Sequence, residues 1–366
     1  MNIFFILPDL RGGGAERVCI NLAHDWILRG HKVTFVLMKK RGEFLNNVSK
    51  KIKIINLNKD RIRNLFFPLL NFFLKKKPEV TLVQMWPLTS IAVLSWLASF
   101  KKGKLIIVDH IHLSTSVEKE LLIPKRIFEF IINLTYKFSS KIIVVSKGVK
   151  SDLIKVNKNL SKKIKVIYNP IIHKNKKKII NKNSLLAKKI WGKNTNNRIL
   201  SVGSLKIQKD YFNLIKAFSL LKNLNKSKLL IVGDGPLKID LKNYVQELNL
   251  KEKILFVNFK KNLDVFYQTA DLFVVSSMWE GFSNVIVESL GFGLPVVSTN
   301  CKSGPSEILK NGKYGTLVPI QKPFKLSEAI FKNLKKKHNK EKLINRSLDF
   351  EISKISNQYL KLIKYE

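Results

Sequence analysis

Residues 198–236, RILSVGSLKIQKDYFNLIKAFSLLKNLNKSKLLIVGDGP, carry the pattern that sets the fold. A largely apolar run at 198–202 breaks at Gly203. Helical spacing follows over 211–221, a second apolar run fills 228–232, and Gly233-Asp234-Gly235-Pro236 ends it. Short apolar runs without polar alternation suit parallel strands buried on both faces. A strand–helix–strand unit of this size is the repeat of a doubly wound sheet. Downstream, 237–248 reads as a helix, and 254–257, 272–275 and 295–298 read as further strands with helices between them.

Upstream the same alternation begins at the first residues. Segments 2–7, 32–38, 52–56, 80–84, 105–109, 141–145 and 164–167 read as strands. Residues 15–29 take helical spacing, with Val18, Leu22, Trp26 and Ile27 on the apolar face and Gly30 at the end. Ser146 is placed to cap the helix after 141–145. Residues 173–197 are polar and rich in Lys and Asn, which reads as a linker. At 366 residues the chain is long enough for two cores. The expected division is 1–172 and 198–346 as Rossmann-like domains, 173–197 as linker, and 347–366 as a C-terminal helix whose return to the first domain stays open. The expected fold is α/β: two doubly wound parallel sheets facing across a cleft, with ligand beyond the carboxyl ends of the strands.

Lys and Arg number 67 against 26 Asp and Glu, a net charge of +41. That excess invites a nucleic-acid partner. Yet only nine of the 67 are Arg, whereas base and phosphate readers lean on bidentate guanidinium contacts. Lys, Asn and Ile also share A/T-rich codons, and no recognition motif is present. The reading is therefore no nucleic acid, and attraction to anionic surfaces, with lipid headgroups the best candidate. Cys19 and Cys301 have no metal-type spacing, and no signal-peptide pattern opens the chain, so a reduced, cytoplasmic protein is expected. The longest uncharged apolar run, 88–100, falls short of the ~20 residues of a membrane span.

Three motifs carry chemistry. Arg11-Gly12-Gly13-Gly14-Ala15-Glu16-Arg17 joins the first strand to the first helix. Its glycines let backbone amides approach an anion at a helix N-terminus, although a plain flexible turn fits as well. The loop 201–210 places Lys206 and Lys209 within reach of a diphosphate; in so Lys-rich a chain a solvated loop is the competing reading. Glu280-Gly281-Phe282-Ser283-Asn284-Val285-Ile286-Val287-Glu288 holds two carboxylates with seven residues between them. Ser283 or Asn284 is placed to cap the following helix, and Glu288 falls a little over one turn into it. Apolar neighbours make a solvated face a poor reading of these glutamates. A carboxylate here can accept from vicinal sugar hydroxyls while the helix start offers amides to a phosphate.

Taken in order, Gly12 to Arg17, Val202-Gly203-Ser204-Leu205 through Gln208-Lys209-Asp210, Gly233 to Pro236, Glu280 with Glu288, and Cys301-Lys302-Ser303-Gly304-Pro305-Ser306-Glu307 resemble glycosyltransferase family 4. These are retaining GT-B enzymes, among them builders of bacterial surface polysaccharides and lipid-linked glycans. The resemblance covers nearly the whole chain. It implies that Gly13 and Gly14 approach the donor's phosphates and that Lys209 neutralises the leaving diphosphate. Ser204 stands where the family often has Arg, a lost cation that Lys206 partly replaces. Gly235 and Pro236 would border the nucleotide, and Asn258 and Phe259 the base. Glu280 would hold sugar hydroxyls, Phe282, Ser283 and Asn284 would present amides, and Glu288 would grip the ribose. His110 would lie near the transferred sugar; as a lone histidine it reads equally as core or site.

The implied reaction moves a hexose-type sugar from a nucleotide-diphosphate donor, a UDP-sugar by preference, to a saccharide or lipid-linked acceptor. Negative charge builds on the departing diphosphate. No Asp-x-Asp pair occurs, so a metal-independent reaction without cofactor is expected, with Glu280 open as nucleophile or hydroxyl ligand. A UDP-sugar epimerase on the same fold is the competing enzyme. The span from Arg61 to Lys77, with Phe66, Phe67, Phe72 and Phe73 between basic residues, reads equally as a membrane-docking segment and as a helix covering the first sheet.

Overall fold

The computed structural model describes residues 1–101, 103–171, 184–192, 195–222 and 224–365. They form two units, Met1–Ile172 with Phe350–Glu366, and His173–Asp349.

The first unit is built on seven parallel strands: β1 (Asn2–Leu7), β2 (Lys32–Leu37), β3 (Lys53–Asn56), β4 (Val80–Gln84), β5 (Lys104–Asp109), β6 (Lys141–Val144) and β7 (Ile164–Val166), in the order β3-β2-β1-β4-β5-β6-β7. The order reverses between β1 and β4, where Phe5 lies in register with Phe35 on one side and Leu82 on the other. From Ile3 to Leu7 β1 is buried, because helices cover both faces of the sheet. One of them, Gly14–Leu28, stacks Trp26 on Phe5 at 5.3 Å. The C-terminal helix Ile352–Tyr365 packs outside it, and Trp26 Nε1 donates to Ser356 Oγ at 2.8 Å. Ser146 does cap its helix, accepting from the Val149 amide at 3.2 Å.

The span from Arg61 to Lys77 is mostly a covering helix. Helical period places Leu69, Phe72 and Phe73 of Phe66–Lys76 on one buried face, with Phe72 edge-on to Phe4 at 5.3 Å. Phe67 alone of the four phenylalanines is exposed. Two of the rings assigned to a membrane surface are therefore core. Pro68 sits in the first turn, where its missing N–H is tolerated, and does not break the helix.

The second unit has six parallel strands: β8 (Asn197–Val202), β9 (Ser227–Val232), β10 (Ile254–Val257), β11 (Leu272–Val275), β12 (Val296–Thr299) and β13 (Thr316–Val318), ordered β10-β9-β8-β11-β12-β13. Ile199, Leu229, Ile231, Leu272 and Val274 anchor a core with Leu214 and Phe218 of the covering helix Tyr211–Ser219. The stretch expected as a linker, 173–197, is partly structured. Ser184 caps the helix Leu185–Trp191, whose fully buried Trp191 donates its indole N–H to Thr269 Oγ1 at 2.9 Å. Trp191 and the equally buried Ala187 fasten it. Residues 173–183, 193 and 194 lie outside the described residues. Among those described, no helix is long and apolar enough to cross a membrane.

Candidate active site

In the second sheet the strand order reverses between β8 and β11, and the loops leaving those two strands carry the charged residues. Backbone and side-chain bonds sew the loops together. The Met278 amide donates to Gln208 O at 2.9 Å, Gln208 Nε2 to Trp279 O at 3.0 Å, and Ser276 Oγ to Lys209 O at 2.7 Å. Lys209 Nζ thereby reaches Glu280 Oε1 at 2.6 Å, and Ser277 Oγ donates to the same oxygen at 2.7 Å. Glu280 is 4% exposed. A buried carboxylate with a matched cation and hydroxyl is held in one orientation, and losing the cation would leave a buried charge uncompensated.

Three residues on, Ser283 adopts a left-handed backbone, φ +61°, and opens the helix Asn284–Gly291. Its side chain does not cap that helix; Ser283 Oγ is buried without a partner. The cap foreseen for Ser283 is thus absent. Gly304, φ +91°, lies so close to Phe282 that a Cβ would stand 3.0 Å from its backbone, so the 301–307 loop buttresses this turn. Phe282 has its ring in the core, leaving only its main chain for a ligand. Further along the helix, Glu288 Oε2 accepts from Tyr267 OH at 3.0 Å, and the Tyr267 ring stacks on Phe292 at 5.3 Å.

The loop after β9 backs onto the loop after β8. Leu205 N donates to Asp234 O at 2.9 Å and Leu237 N to Leu205 O at 3.0 Å. An added Cβ at Gly235 would meet Leu205 O at 2.5 Å, so glycine is required by close approach. Pro236 and Lys206 are exposed beside it and Ser204 is half-buried. After β10, Asn258 is exposed and Phe259 half-buried; Lys238 Nζ donates to Asn258 Oδ1 at 2.7 Å. Strands β10, β9, β8 and β11 are neighbours and parallel, so these loops share one edge of the sheet.

The first unit holds the other sequence candidates. Gly13 and Gly14 lie exposed at the start of the helix Gly14–Leu28. Carboxylates already face this loop: the Gly12 amide donates to Glu43 Oε2 at 3.0 Å, and Glu16 folds back over Gly13. His110 follows β5, with Nε2 at 2.8 Å from Oε1 of the buried Gln84 at the end of β4. Its Nδ1 is shut off from solvent without a partner, and burial holds the imidazole down to about 4, hence neutral at pH 7. Beside it, burial pushes the Asp109 carboxyl up to about 7, against the opposing hydrogen bond from Tyr136 OH at 3.1 Å. His112 is bonded to Thr115 Oγ1 at 3.0 Å and faces Asp152, a structural setting.

Lys209, Glu280 and the helix start at Ser283 and Asn284 are thus gathered on the second unit, with Glu288 one face further along. Gln84, Ser277, Tyr267 and Lys238 are partners that the sequence reading did not name. Only Gln84, a polar residue closing an apolar strand, left a signal.

Residues 12–174 match the family model described as Glycosyltransferase Family 4, and residues 184–349 match that described as Glycosyl transferases group 1. The chain belongs to the family 4 glycosyltransferases. The resemblance seen in the motifs is thereby established, and with it an enzyme that transfers sugars. Similar proteins include a Campylobacter jejuni N-acetylgalactosamine-N,N'-diacetylbacillosaminyl-diphospho-undecaprenol 4-alpha-N-acetylgalactosaminyltransferase, 33% identical over 64% of this chain and 63% of that protein. A second Campylobacter jejuni alpha-1,4-N-acetyl-D-galactosaminyltransferase, acting on a diNAcBac-PP-undecaprenol glycan, is 26% identical over 99% of this chain and 98% of its own. Anabaena HepE, solved in complex with UDP-glucose, superposes with a TM-score of 0.83 at 19% identity, covering 100% of this chain and 99% of that one. At that identity the likeness concerns the fold, which is that of the GT-B glycosyltransferases.

Proposed function

We propose that this glycosyltransferase moves a hexose-type sugar from a nucleotide-diphosphate donor, a UDP-sugar, to a lipid-linked saccharide, with retention of anomeric configuration and without a metal ion, in the assembly of a cell-surface glycan at the cytoplasmic face of the membrane. The observation that carries this reading is the Lys209–Glu280 pair across the strand-order reversal, three residues before a helix start. As the glycosidic bond to the diphosphate breaks, negative charge grows on the leaving oxygen. A lysine fixed at one orientation and the first-turn amides of Asn284–Gly291 stabilise it more than they stabilise the bound donor, which is what lowers a barrier. Glu280, held by Lys209 and Ser277, is suited to accept from sugar hydroxyls. Glu288 is suited to the ribose, Gly235 and Pro236 to the nucleotide's border, and Asn258 and Phe259 to the base. In the first unit, the helix start at Gly14 is suited to an anion, whereas the Gly13 amide already donates to Arg11 O at 2.6 Å, and His110, neutral and bonded to Gln84, would offer a sugar hydroxyl no charge.

Relatives whose names specify undecaprenol-linked acceptors support the lipid-linked substrate. An Escherichia coli UDP-galactose-dependent relative, 30% identical over 55% of this chain, and the UDP-glucose complex of Anabaena HepE support the donor. The test is to incubate the enzyme with a panel of UDP-hexoses and an undecaprenyl-diphosphate saccharide in the presence of a chelator. Extended glycolipid should form, with the anomeric coupling of the donor preserved. Inverted product, or turnover only with added magnesium or manganese, would overturn those parts of the reading.

A further inference from the structure

The helix Lys125–Thr135 of the first unit is amphipathic, but both of its sides are apolar over part of their length. Phe128, Ile132 and Thr135 enter the core, whereas Ile127, Phe130 and Leu134, at i, i+3 and i+7, are 51%, 66% and 43% exposed. Leu121, which ends the helical turn Val117–Leu121, and Leu122 after it are exposed as well. Leu122 is 81% exposed and sits at φ +53°, a left-handed conformation that bulky L-residues avoid. An apolar side chain held strained at a solvent-facing apex gains nothing for the core.

Charge brackets this stripe. Lys125 and Arg126 stand at its start. At its end Lys137 and Lys101 place their ammonium groups over the exposed ring of Phe138, at 5.0 and 5.6 Å from its centroid. Lys163 shares that corner, donating to Lys137 O and to Ser139 O, and burial together with repulsion from Lys101 and Lys141 lowers its pKa. Two of the nearby acids are already engaged: Glu129 faces Lys125 at 3.6 Å, and Glu120 accepts from Ser116 Oγ at 2.9 Å.

We propose that Leu121, Leu122, Ile127, Phe130 and Leu134, bracketed by Lys125, Arg126, Lys101 and Lys137, form a docking surface for an anionic lipid bilayer. A helix with leucine and phenylalanine on its outer stripe and basic residues at both ends lies in the headgroup boundary, its rings below the phosphates and its ammonium groups among them. The charge clusters favour anionic lipid over a protein partner, whose interface core excludes lysine. Leu121 and Leu122 close the two helical turns, Leu113–Ser116 and Val117–Leu121, that follow the carboxyl end of β5 and His110. This surface replaces the phenylalanines between Arg61 and Lys77, half of which are core. The inference deepens the lipid-linked acceptor reading, but the assay below needs neither donor nor acceptor, so either can fail without the other.

Vesicle flotation tests it at low salt, with phosphatidylcholine vesicles and with vesicles in which roughly a third of the lipid is phosphatidylglycerol. The wild type should float with the anionic vesicles and little with the neutral ones. The triple variant L121S/L122S/F130S should lose roughly tenfold or more of this binding. K101Q/K137Q should lose binding to the anionic vesicles, and F67S on the helix Phe66–Lys76 should not. All four substituted apolar side chains are exposed, and an unchanged melting temperature confirms that each variant folds. Equal flotation of wild type and triple variant overturns the proposal, as does absence of binding by the wild type. A wild-type dimer dissolved by the triple variant, with vesicle binding unchanged, assigns the stripe to a second copy instead.

Discussion

Lys209 and Glu280, 71 residues apart in sequence, meet at 2.6 Å because they leave neighbouring strands at the point where the strand order reverses. Truncating either partner alone leaves a mostly buried charge behind. Lys209→Met should lower turnover by roughly 100-fold or more, the scale of removing one charge-stabilising group. Glu280→Gln keeps an acceptor for Ser277 but loses the charge, and should lower turnover as well. The double variant should show much less than the product of the two losses, since the residues act as a unit. Steady-state kinetics on the three proteins would decide it, and near-normal turnover in Lys209→Met would move the site elsewhere.

Glu288 accepts from Tyr267, whose ring is fixed by Phe292. The ribose changes no charge during reaction, so its ligand contributes uniform binding. Glu288→Ala should raise the donor KM by about tenfold or more with kcat little changed, and Tyr267→Phe should raise it by a few-fold. A kcat loss as large as the KM gain would put Glu288 at the reacting bond.

Gly235→Ala forces a Cβ to within 2.5 Å of Leu205 O and 2.6 Å of Leu205 N, and backbone atoms leave no easy relief. A loss of about 1–3 kcal/mol in stability is expected, with weaker donor binding. Gly30, which unlike Gly235 has positive φ but has nothing within 4 Å of an added Cβ, supplies the comparison. Its alanine variant should cost about 1 kcal/mol from backbone strain alone. Equal melting temperatures for the two variants would remove the steric argument.

Asp109 and His110 are neighbours with opposite pH linkage. The folded Asp109 carboxyl titrates near 7 instead of 3.8, so its contribution to stability is full below pH 3.8 and is lost as pH rises through 7. The folded His110 imidazole titrates near 4 instead of 6.5, so its contribution is present above pH 6.5 and is lost as pH falls through 4. Relative to wild type, Asp109→Asn should therefore gain stability between pH 4 and 7 as pH rises. His110→Gln should gain it from pH 6.5 down to 4. Melting temperatures across that range check both, and curves parallel to wild type would contradict the burial of these groups.

The alternation of strands and helices was legible because buried parallel strands are apolar throughout, and the two sheets follow it nearly strand for strand. The strand at Thr316–Val318 was not read: it has three residues, two of them half-buried, at the edge of the sheet. Glu280 and Glu288 stood out through their setting of glycine and apolar residues, whereas Lys209, in a loop that reads equally as solvated, was singled out only by the family resemblance. Ser277, Tyr267 and Lys238 did not stand out, since each finds its partner through folding rather than through spacing. The phenylalanines between Arg61 and Lys77 drew attention by number and flanking charge, while helical period decided their fate. In the helix Lys125–Thr135 the same period leaves Phe130 outside, and no local pattern states which face a sheet will cover.

The anchoring of Trp191 under Thr269 bears on how the second unit can be produced by itself. A fragment begun at Asn197, where the first strand of this sheet starts, would leave a tryptophan-sized void and expose apolar surface around Thr269. Such voids cost about 3–5 kcal/mol, a large share of what holds a domain of this size together. Expression should instead begin upstream of Ser184, so that the capped helix Leu185–Trp191 travels with the sheet it seals.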